Sequence, residues 1–176
     1  MSCGTATILL SALLAGVMSG VLALGDNTFD IYAETRIKYP GGNALNVAVL
    51  ARRLGERTAY LGCVGEDPAG LCLLTILEQE RVDSSRTRIR AGRTARALIG
   101  HINGERLFLG ADHGVRSEYG LHGEDYRYVA AHALMHSSIH GEIERYLPDC
   151  AGRPHLFRST FPTAGTMRCS SACCRS

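Results

Sequence analysis

Several residue types that mark particular classes of protein are scarce in this chain of 176 residues. Tryptophan is absent, aromatic residues make up only 6% of the total, and Lys38 is the single lysine. The formal net charge of +2 excludes a nucleic-acid binder that relies on bulk charge. A hydrophobic content of 45% excludes a disordered or collagen-like chain, and together these values predict one globular domain.

Arginine supplies almost all of the positive charge, and six arginines fall between Arg81 and Arg96. A basic cluster of this kind is one form of phosphate-binding patch. No aromatic residue is interleaved there to stack on a nucleic-acid base. Arg86, Arg88 and Arg90 alternate with other residues, as they would on one face of a strand. We therefore predict a solvated strand-and-turn surface and no nucleic-acid partner.

No basic residue precedes Arg36, which affects how the apolar segment from Thr5 to Leu24 is interpreted. The segment is long enough to cross a bilayer as a helix, but it lacks the basic flank of a signal peptide or a membrane anchor. We favour an interpretation in which residues 1–17 are an extension upstream of the fold and the first strand starts at about Met18. A signal or anchor and a native helix remain as alternatives. We expect no membrane association.

The middle of the chain alternates between strand and helix patterns, and it contains no internal repeat. The predicted elements, in order, are a strand near Val21–Leu24, a loop as far as Pro40, a helix over 43–54 that ends at Gly55, a buried strand over 58–65 and a helix over 68–82. In the second helix we expect Leu71, Leu74 and Leu77 to face inward. This order predicts an α/β fold with a parallel sheet and helices on its faces.

The stretch from Thr87 to Val115 has short alternating runs on either side of Asn103-Gly104. An Asn-Gly pair between such runs is a strong signal for a tight β-hairpin turn. We interpret the hairpin as an excursion from the parallel sheet. Residues 124–139 then predict a short helix that leads into another strand.

Residues suited to binding a polyhydroxylated ligand are concentrated near the first strand. Asp26 and Asp30 follow that strand, at the end where open α/β sheets bind ligands. At the mouth of the next helix lie two glycines and two amides, namely Gly41, Gly42, Asn43 and Asn46. A carboxylate accepts hydroxyl protons, amides fix orientation, and glycine lets the backbone approach closely. Each residue also has a structural alternative, such as a cap for Asp26 or Asn46 and a positive φ for the glycines.

Together these residues form a recognisable pattern. The segment GGNALNVAVLARRLGERTAYLGCVG and the VGEDPAG that overlaps its end resemble the first signature of the ribokinase-like (PfkB) sugar kinases. Within that family the chain looks most like the fructoselysine 6-kinases, which phosphorylate a sugar-amine with ATP. The resemblance covers 18–150, roughly the N-terminal half of such an enzyme, and implies a ribokinase-like sheet with a small β lid over about 87–115.

The resemblance implies roles for particular positions. Asp30 matches the aspartate that binds sugar hydroxyls, and Gly42, Asn43 and Asn46 match the substrate-facing turn. It also implies a sugar or sugar-amine substrate, ATP and Mg²⁺ as cofactors, a cytoplasmic location and, frequently, a homodimer formed through the lid. The family's late Asp-Thr-x-Gly-Ala-Gly-Asp motif, which holds the phosphate and supplies the catalytic base, does not occur in the sequence. We therefore expect no catalytic residue in this chain and an inactive fragment that lacks the nucleotide-binding half. The alternative is a non-catalytic sugar-binding or interaction protein.

The segment 151–176 shows no helical or strand periodicity and does not resemble the family. A shifted reading frame from Phe157 onward is compatible with the FDFSD-x-W-D stretch of these kinases, so we interpret the segment as frameshifted. Cys169, Cys173 and Cys174 lack a second pair at zinc-finger spacing, so we expect no zinc site.

Two further sets of residues have the composition of a metal site or a disulfide. His132, His136 and His140 are spaced as helical metal ligands, but they lie in a predicted strand, so we expect no metal there. We interpret Cys63 and Cys72 as small buried residues rather than as a disulfide.

Overall fold

The computed structural model describes residues 18–150 and 155–159. The predictions for residues 1–17, and those for the tail at 151–154 and 160–176, lie outside the described residues. The nine strands of the described part are β1 (Met18–Gly25), β2 (Thr28–Tyr32), β3 (Lys38–Gly41), β4 (Thr58–Gly65), β5 (Arg88–Arg90), β6 (Arg96–Ile102), β7 (Glu105–Asp112), β8 (His132–Ser138) and β9 (His155–Ser159). Its three α-helices are α1 (Asn43–Arg53), α2 (Pro68–Gln79) and α3 (Gly123–Ala130).

The larger sheet has the order β5-β4-β1-β8-β9, and every neighbouring pair is parallel. Apolar residues alternate between its two faces, because successive side chains of a strand point in opposite directions. Ala23 packs with α1 and α2 in one core cluster, whereas Leu22 and Leu24 pack with Val129 and Met135 in the other. The predicted α/β fold with a helix-flanked parallel sheet is confirmed.

The helices begin and end close to the predicted positions, but the buried face of α2 differs from the predicted one. In α2, Leu77 is fully buried and Leu74 is partly buried, whereas Leu71 is 66% exposed, so its predicted inward position is wrong. The buried face of α2 also contains Cys72 and Leu73. The apolar face that a helix packs against a sheet is wider than a single row of side chains, so residues beside the predicted row are buried too.

A second, smaller sheet has the order β3-β2-β6-β7. Its β6–β7 hairpin turns at Asn103 and Gly104, both with positive φ, as predicted from this dipeptide. The loop predicted before Pro40 is wrong, because β2 and β3 occupy it and complete the small sheet. These strands are short, and β2 obtains its second neighbour from the distant β6, so local sequence carries little signal of them.

The arginine-rich segment contributes β5 to the edge of the larger sheet instead of forming a solvated surface throughout. Arg88 forms an ion pair with Asp125 on α3, donates to the Gly120 carbonyl, and lies over the ring of Tyr119. The prediction of a solvated surface is therefore wrong for Arg88, since an arginine this well paired holds α3 against the sheet.

Strand β9 lies in the tail, where the sequence shows no strand periodicity. It pairs in parallel with β8, from Leu134 opposite His155 to Ser138 opposite Ser159. Pairing with an existing strand, rather than an alternating pattern, specifies this element. Within the described ranges, no helix is long and apolar enough to cross a membrane.

Candidate sugar-binding site

The candidate site lies where β1, β8 and the small sheet meet, at the carboxyl end of β1. Asp26 and Asn27 connect β1 to β2, and Gly42 connects β3 to α1. The chain therefore passes from the large sheet to the small one and back to α1 at one place. Ligands of open α/β sheets bind at this edge.

Asp26 is buried and forms three hydrogen bonds. One carboxylate oxygen accepts from the backbone N–H of Asn43 at 2.6 Å, and the other accepts from the N–H of Ala44 at 3.1 Å and from the Ser138 hydroxyl at 2.7 Å. The first turn of a helix has unpaired N–H groups and a partial positive charge, so a carboxylate is stable there without a cationic partner. This geometry matches the structural alternative for Asp26, a cap that joins α1 to β1 and β8.

Gly42 occupies a position that only glycine fits. Its φ is 103°, and a Cβ atom would lie 2.6 Å from the Asn27 Cα and 2.7 Å from the Asp26 carbonyl oxygen. Both neighbours are backbone atoms, which cannot move aside as the tip of a side chain can. The turn at Gly42 thus fixes how closely α1 approaches the end of β1.

Asn43 and Asn46 lie in the first turn of α1 and are 6% and 4% exposed, respectively. Their amides are buried at the same end of α1 as the Asp26 carboxylate. The sequence predicted that these residues lie together, and the structure brings them together at the turn.

Asp30 lies on β2 beside the same turn, and its surroundings differ from those of Asp26. Its Oδ1 is 3.1 Å from the point where a Cβ of Gly41 would stand, so Gly41 leaves the space that this carboxylate occupies. Oδ2 accepts a 2.6 Å hydrogen bond from Arg106 on β7. Burial raises the pKa of Asp30, and the Arg106 charge and hydrogen bond partly offset that rise. Within the described residues, Oδ1 takes no hydrogen bond.

Asn27 and Tyr60 form a buried network behind the site that the sequence did not indicate. The Asn27 amide donates to the Tyr60 oxygen at 2.9 Å and to the Cys63 carbonyl at 2.7 Å, and the Tyr60 hydroxyl donates to the Gly25 carbonyl at 2.8 Å. Burial raises the pKa of Tyr60, so its hydroxyl stays protonated. The network ties the end of β1 to β4, and its sequence signal is only a tyrosine within an apolar strand.

Asp67, from the VGEDPAG segment, anchors the small sheet. Its Oδ1 accepts from the Gly70 N–H at 2.8 Å and from the Thr94 hydroxyl at 2.6 Å, and its Oδ2 accepts from the Thr94 N–H at 3.2 Å. The Thr94 hydroxyl also accepts from the Gly65 N–H at 2.9 Å. Burial alone would raise the pKa of Asp67, but these hydrogen bonds and Arg96 hold it below its usual value. The segment therefore caps α2 and fixes the chain that enters β6.

The N-termini of all three α-helices of the described part are occupied by carboxylates. Asp26 fills the end of α1, Asp67 that of α2, and Asp125 forms a capping box at that of α3. A helix N-terminus is a frequent site for phosphate, but a carboxylate already bound there repels one. None of these three helices offers a phosphate site.

The described residues contain no cluster of three histidine, cysteine or acidic side chains that could hold a metal ion. His132 and His136 are buried in β8, and His140 follows in an exposed turn. Cys63 and Cys72 are both buried, as predicted.

A cavity of about 330 Å³ lies at the opposite end of the larger sheet, where β4 and β8 begin with Thr58 and His132. Arg52, Arg57 and Arg81 contribute to its wall. It shares no residue with the candidate site, and it lies at the amino ends of the strands, away from the usual ligand edge.

Comparison with known proteins identifies the family of this chain. The family model for the pfkB family carbohydrate kinases matches residues 24–138. The chain belongs to the PfkB carbohydrate kinase family. It is 37% identical over 136 residues to the fructosamine kinase FrlD of Bacillus subtilis, covering 75% of this chain and 48% of that protein. It is 33% identical over 131 residues to the fructoselysine 6-kinase of Escherichia coli, covering 74% and 50%.

Solved structures agree on the fold. A putative ribokinase II from E. coli superposes with a TM-score of 0.65 at 20% identity, covering 75% of this chain and 47% of that one. An Arabidopsis thaliana ribokinase complexed with ribose and ATP gives 0.60 at 18% identity, covering 69% and 45%. The chain spans about half the length of the curated relatives it matches.

Proposed function

We propose that this chain is the sugar-binding part of a kinase of the fructoselysine type and that it binds a sugar-amine at Asp30 and the Gly41–Gly42 turn. The observation that carries the proposal is the Asp30 carboxylate, which is mostly buried yet has an oxygen without a hydrogen bond beside a turn that glycine keeps open. Such an oxygen can accept a proton from a sugar hydroxyl, while Asn43 and Asn46 orient the ring. Asp26 supports the turn from behind.

The small sheet provides the lid of the proposed site. Its inner face, which carries Asp30, Ile99 and Arg106, continues from the turn toward the hairpin. A lid that covers the sugar excludes water, so that phosphate goes to the sugar and not to solvent. The hydrogen bonds of Asp67 to Thr94 hold the chain that enters this lid at β6.

ATP and Mg²⁺ belong to the proposed reaction through the family. The Arabidopsis ribokinase relative was solved with ATP, but the described residues of this chain do not fit a nucleotide. Their helix N-termini hold carboxylates, and they contain no acidic cluster for a metal. We therefore derive no step of phosphoryl transfer from them.

This misfit favours a second proposal for the chain by itself, namely sugar binding without phosphate transfer. Titration calorimetry with fructoselysine, in the presence and absence of ATP and Mg²⁺, separates the two. Binding with formation of the 6-phosphate supports the kinase, binding without product supports the sugar-binding protein, and no binding contradicts both. Asp30→Asn should abolish binding, whereas the matched exposed control Asp149→Asn should leave it unchanged.

We also propose that a second copy of the chain covers the outer face of the small sheet in the cytoplasm. Leu98, Ile102, Leu107 and Leu109 lie on this face and are 41 to 58% exposed. Contiguous exposed apolar residues of this kind mark interaction surfaces. The homodimer expected from the family resemblance would bury them.

A further inference from the structure

The strongest observation that the sequence did not foresee is the pairing of Asp30 with Arg106. The two residues are 76 positions apart and lie on strands that are not neighbours, since β6 separates β2 from β7. Asp30 is opposite Ala97 and Arg106 is opposite His101, so the guanidinium crosses β6 near Ile99 to reach the carboxylate. Ile99 is 2% exposed, which is consistent with a side chain lying across it.

We propose that Arg106 is a positioning residue, which holds the Asp30 carboxylate by Oδ2 so that Oδ1 remains directed at the Gly41–Gly42 turn to accept a ligand hydroxyl. The proposal rests on the proposed sugar-binding function and assigns to the lid hairpin a part in substrate recognition. A charge-assisted hydrogen bond to one oxygen of a carboxylate fixes the orientation of the other. Gly41 contributes by leaving no side chain on the other side of the carboxylate.

Burial raises the pKa of Asp30, and among the charges around it Arg106 is the one that opposes this rise. The strands packed beside β2 carry Lys38 on β3 and Arg96 and His101 on β6, but the charge that acts on Asp30 is that of Arg106. Arg96 is directed to Asp67 and His101 to Glu34. An ionised carboxylate is a better acceptor for a sugar hydroxyl than a protonated one, so loss of Arg106 should weaken binding most in mild acid.

The experiment compares the wild type, Arg106→Gln and Arg106→Lys, with Arg90→Gln as a matched control for loss of one exposed arginine. Carbon-13 NMR follows the titration of the Asp30 carboxyl without any sugar, and calorimetry follows fructoselysine affinity between pH 5 and pH 8. In Arg106→Gln we expect the Asp30 midpoint to move to higher pH and the affinity to fall about tenfold at pH 5, the equivalent of one lost charge-assisted hydrogen bond. At pH 8 the loss should be smaller. Arg106→Lys should restore the midpoint, and Arg90→Gln should not change it.

The outcomes separate this proposal from the proposed function. An Asp30 midpoint that does not move in Arg106→Gln overturns the positioning role, as does an equal loss of affinity at every pH. If the wild type binds no sugar although the midpoint moves as expected, the sugar-binding function fails and the coupling between Arg106 and Asp30 stands.

Discussion

The clearest test of the site concerns Asp26, whose carboxylate joins α1, β1 and β8 at one point. Asp26→Ala leaves the N–H groups of Asn43 and Ala44 and the Ser138 hydroxyl without their acceptor. A hydrogen bond to a charged group contributes about 1.5–3 kcal/mol. Because the three donors share one carboxylate and water can enter the space, we expect a total loss of about 3–5 kcal/mol. The total free energy of unfolding of a native domain is about 5–15 kcal/mol, so this loss would be a large fraction of it.

The assay is urea unfolding followed by far-UV circular dichroism, since the chain has no tryptophan to report on the core. Asp26→Asn keeps the shape and one acceptor and should lose about 1–2 kcal/mol. Asp149→Ala, at an exposed aspartate, should change the free energy of unfolding by less than about 0.5 kcal/mol. A double-mutant cycle with Ser138→Ala measures the direct bond. If the free energy of unfolding of Asp26→Ala falls by less than about 1 kcal/mol, the carboxylate does not stabilise the contact of α1 with β1 and β8.

Three further outcomes follow from the geometry. Gly41→Ala places a Cβ 3.1 Å from the Asp30 carboxylate, so sugar affinity measured by calorimetry should fall about tenfold while the fold survives; unchanged affinity would contradict the proposed site. Asp67→Asn should lower the melting temperature at pH 7. Because the pKa of Asp67 is depressed in the fold, the wild type loses this contribution as pH falls below about 4, and the two melting curves should converge there. Leu109→Glu should shift sedimentation toward monomer if the outer face joins two copies, and an unchanged distribution would refute that contact.

The parts of the fold that could be predicted from sequence depend on local signals. The Asn103-Gly104 turn and the buried strand β4 follow from residues within a few positions of one another. The loop predicted where β2 and β3 lie was wrong because the pairing of β2 with β6 is not local. The hydrogen bond between Asp30 and Arg106 could not be predicted either, because the two residues are 76 positions apart and neither strand contains a local signal for the other.

The site residues show a similar division. The sequence predicted a common location for six residues, and the structure places them in or beside one turn: Asp26, Asp30, Gly41, Gly42, Asn43 and Asn46. Their different chemistry depends on contacts that the sequence does not reveal. The Asp26 carboxylate accepts hydrogen bonds from a helix and a serine with both oxygens, whereas Asp30 has one oxygen that takes no hydrogen bond within the described residues.

The small sheet has a consequence for the order of folding. Its strands come from two stretches of chain, β2–β3 before α1 and β6–β7 after α2. Strand β2 can therefore pair with β6 only when the intervening chain, which contains α1, β4 and α2, brings the two stretches together. Contacts between distant stretches form late because the intervening loop must first be closed. The proposed sugar site is therefore among the last parts to assemble, and a sugar bound there would stabilise the completed state against local opening. Hydrogen exchange in β2 should then report both the assembly of the lid and the presence of its ligand.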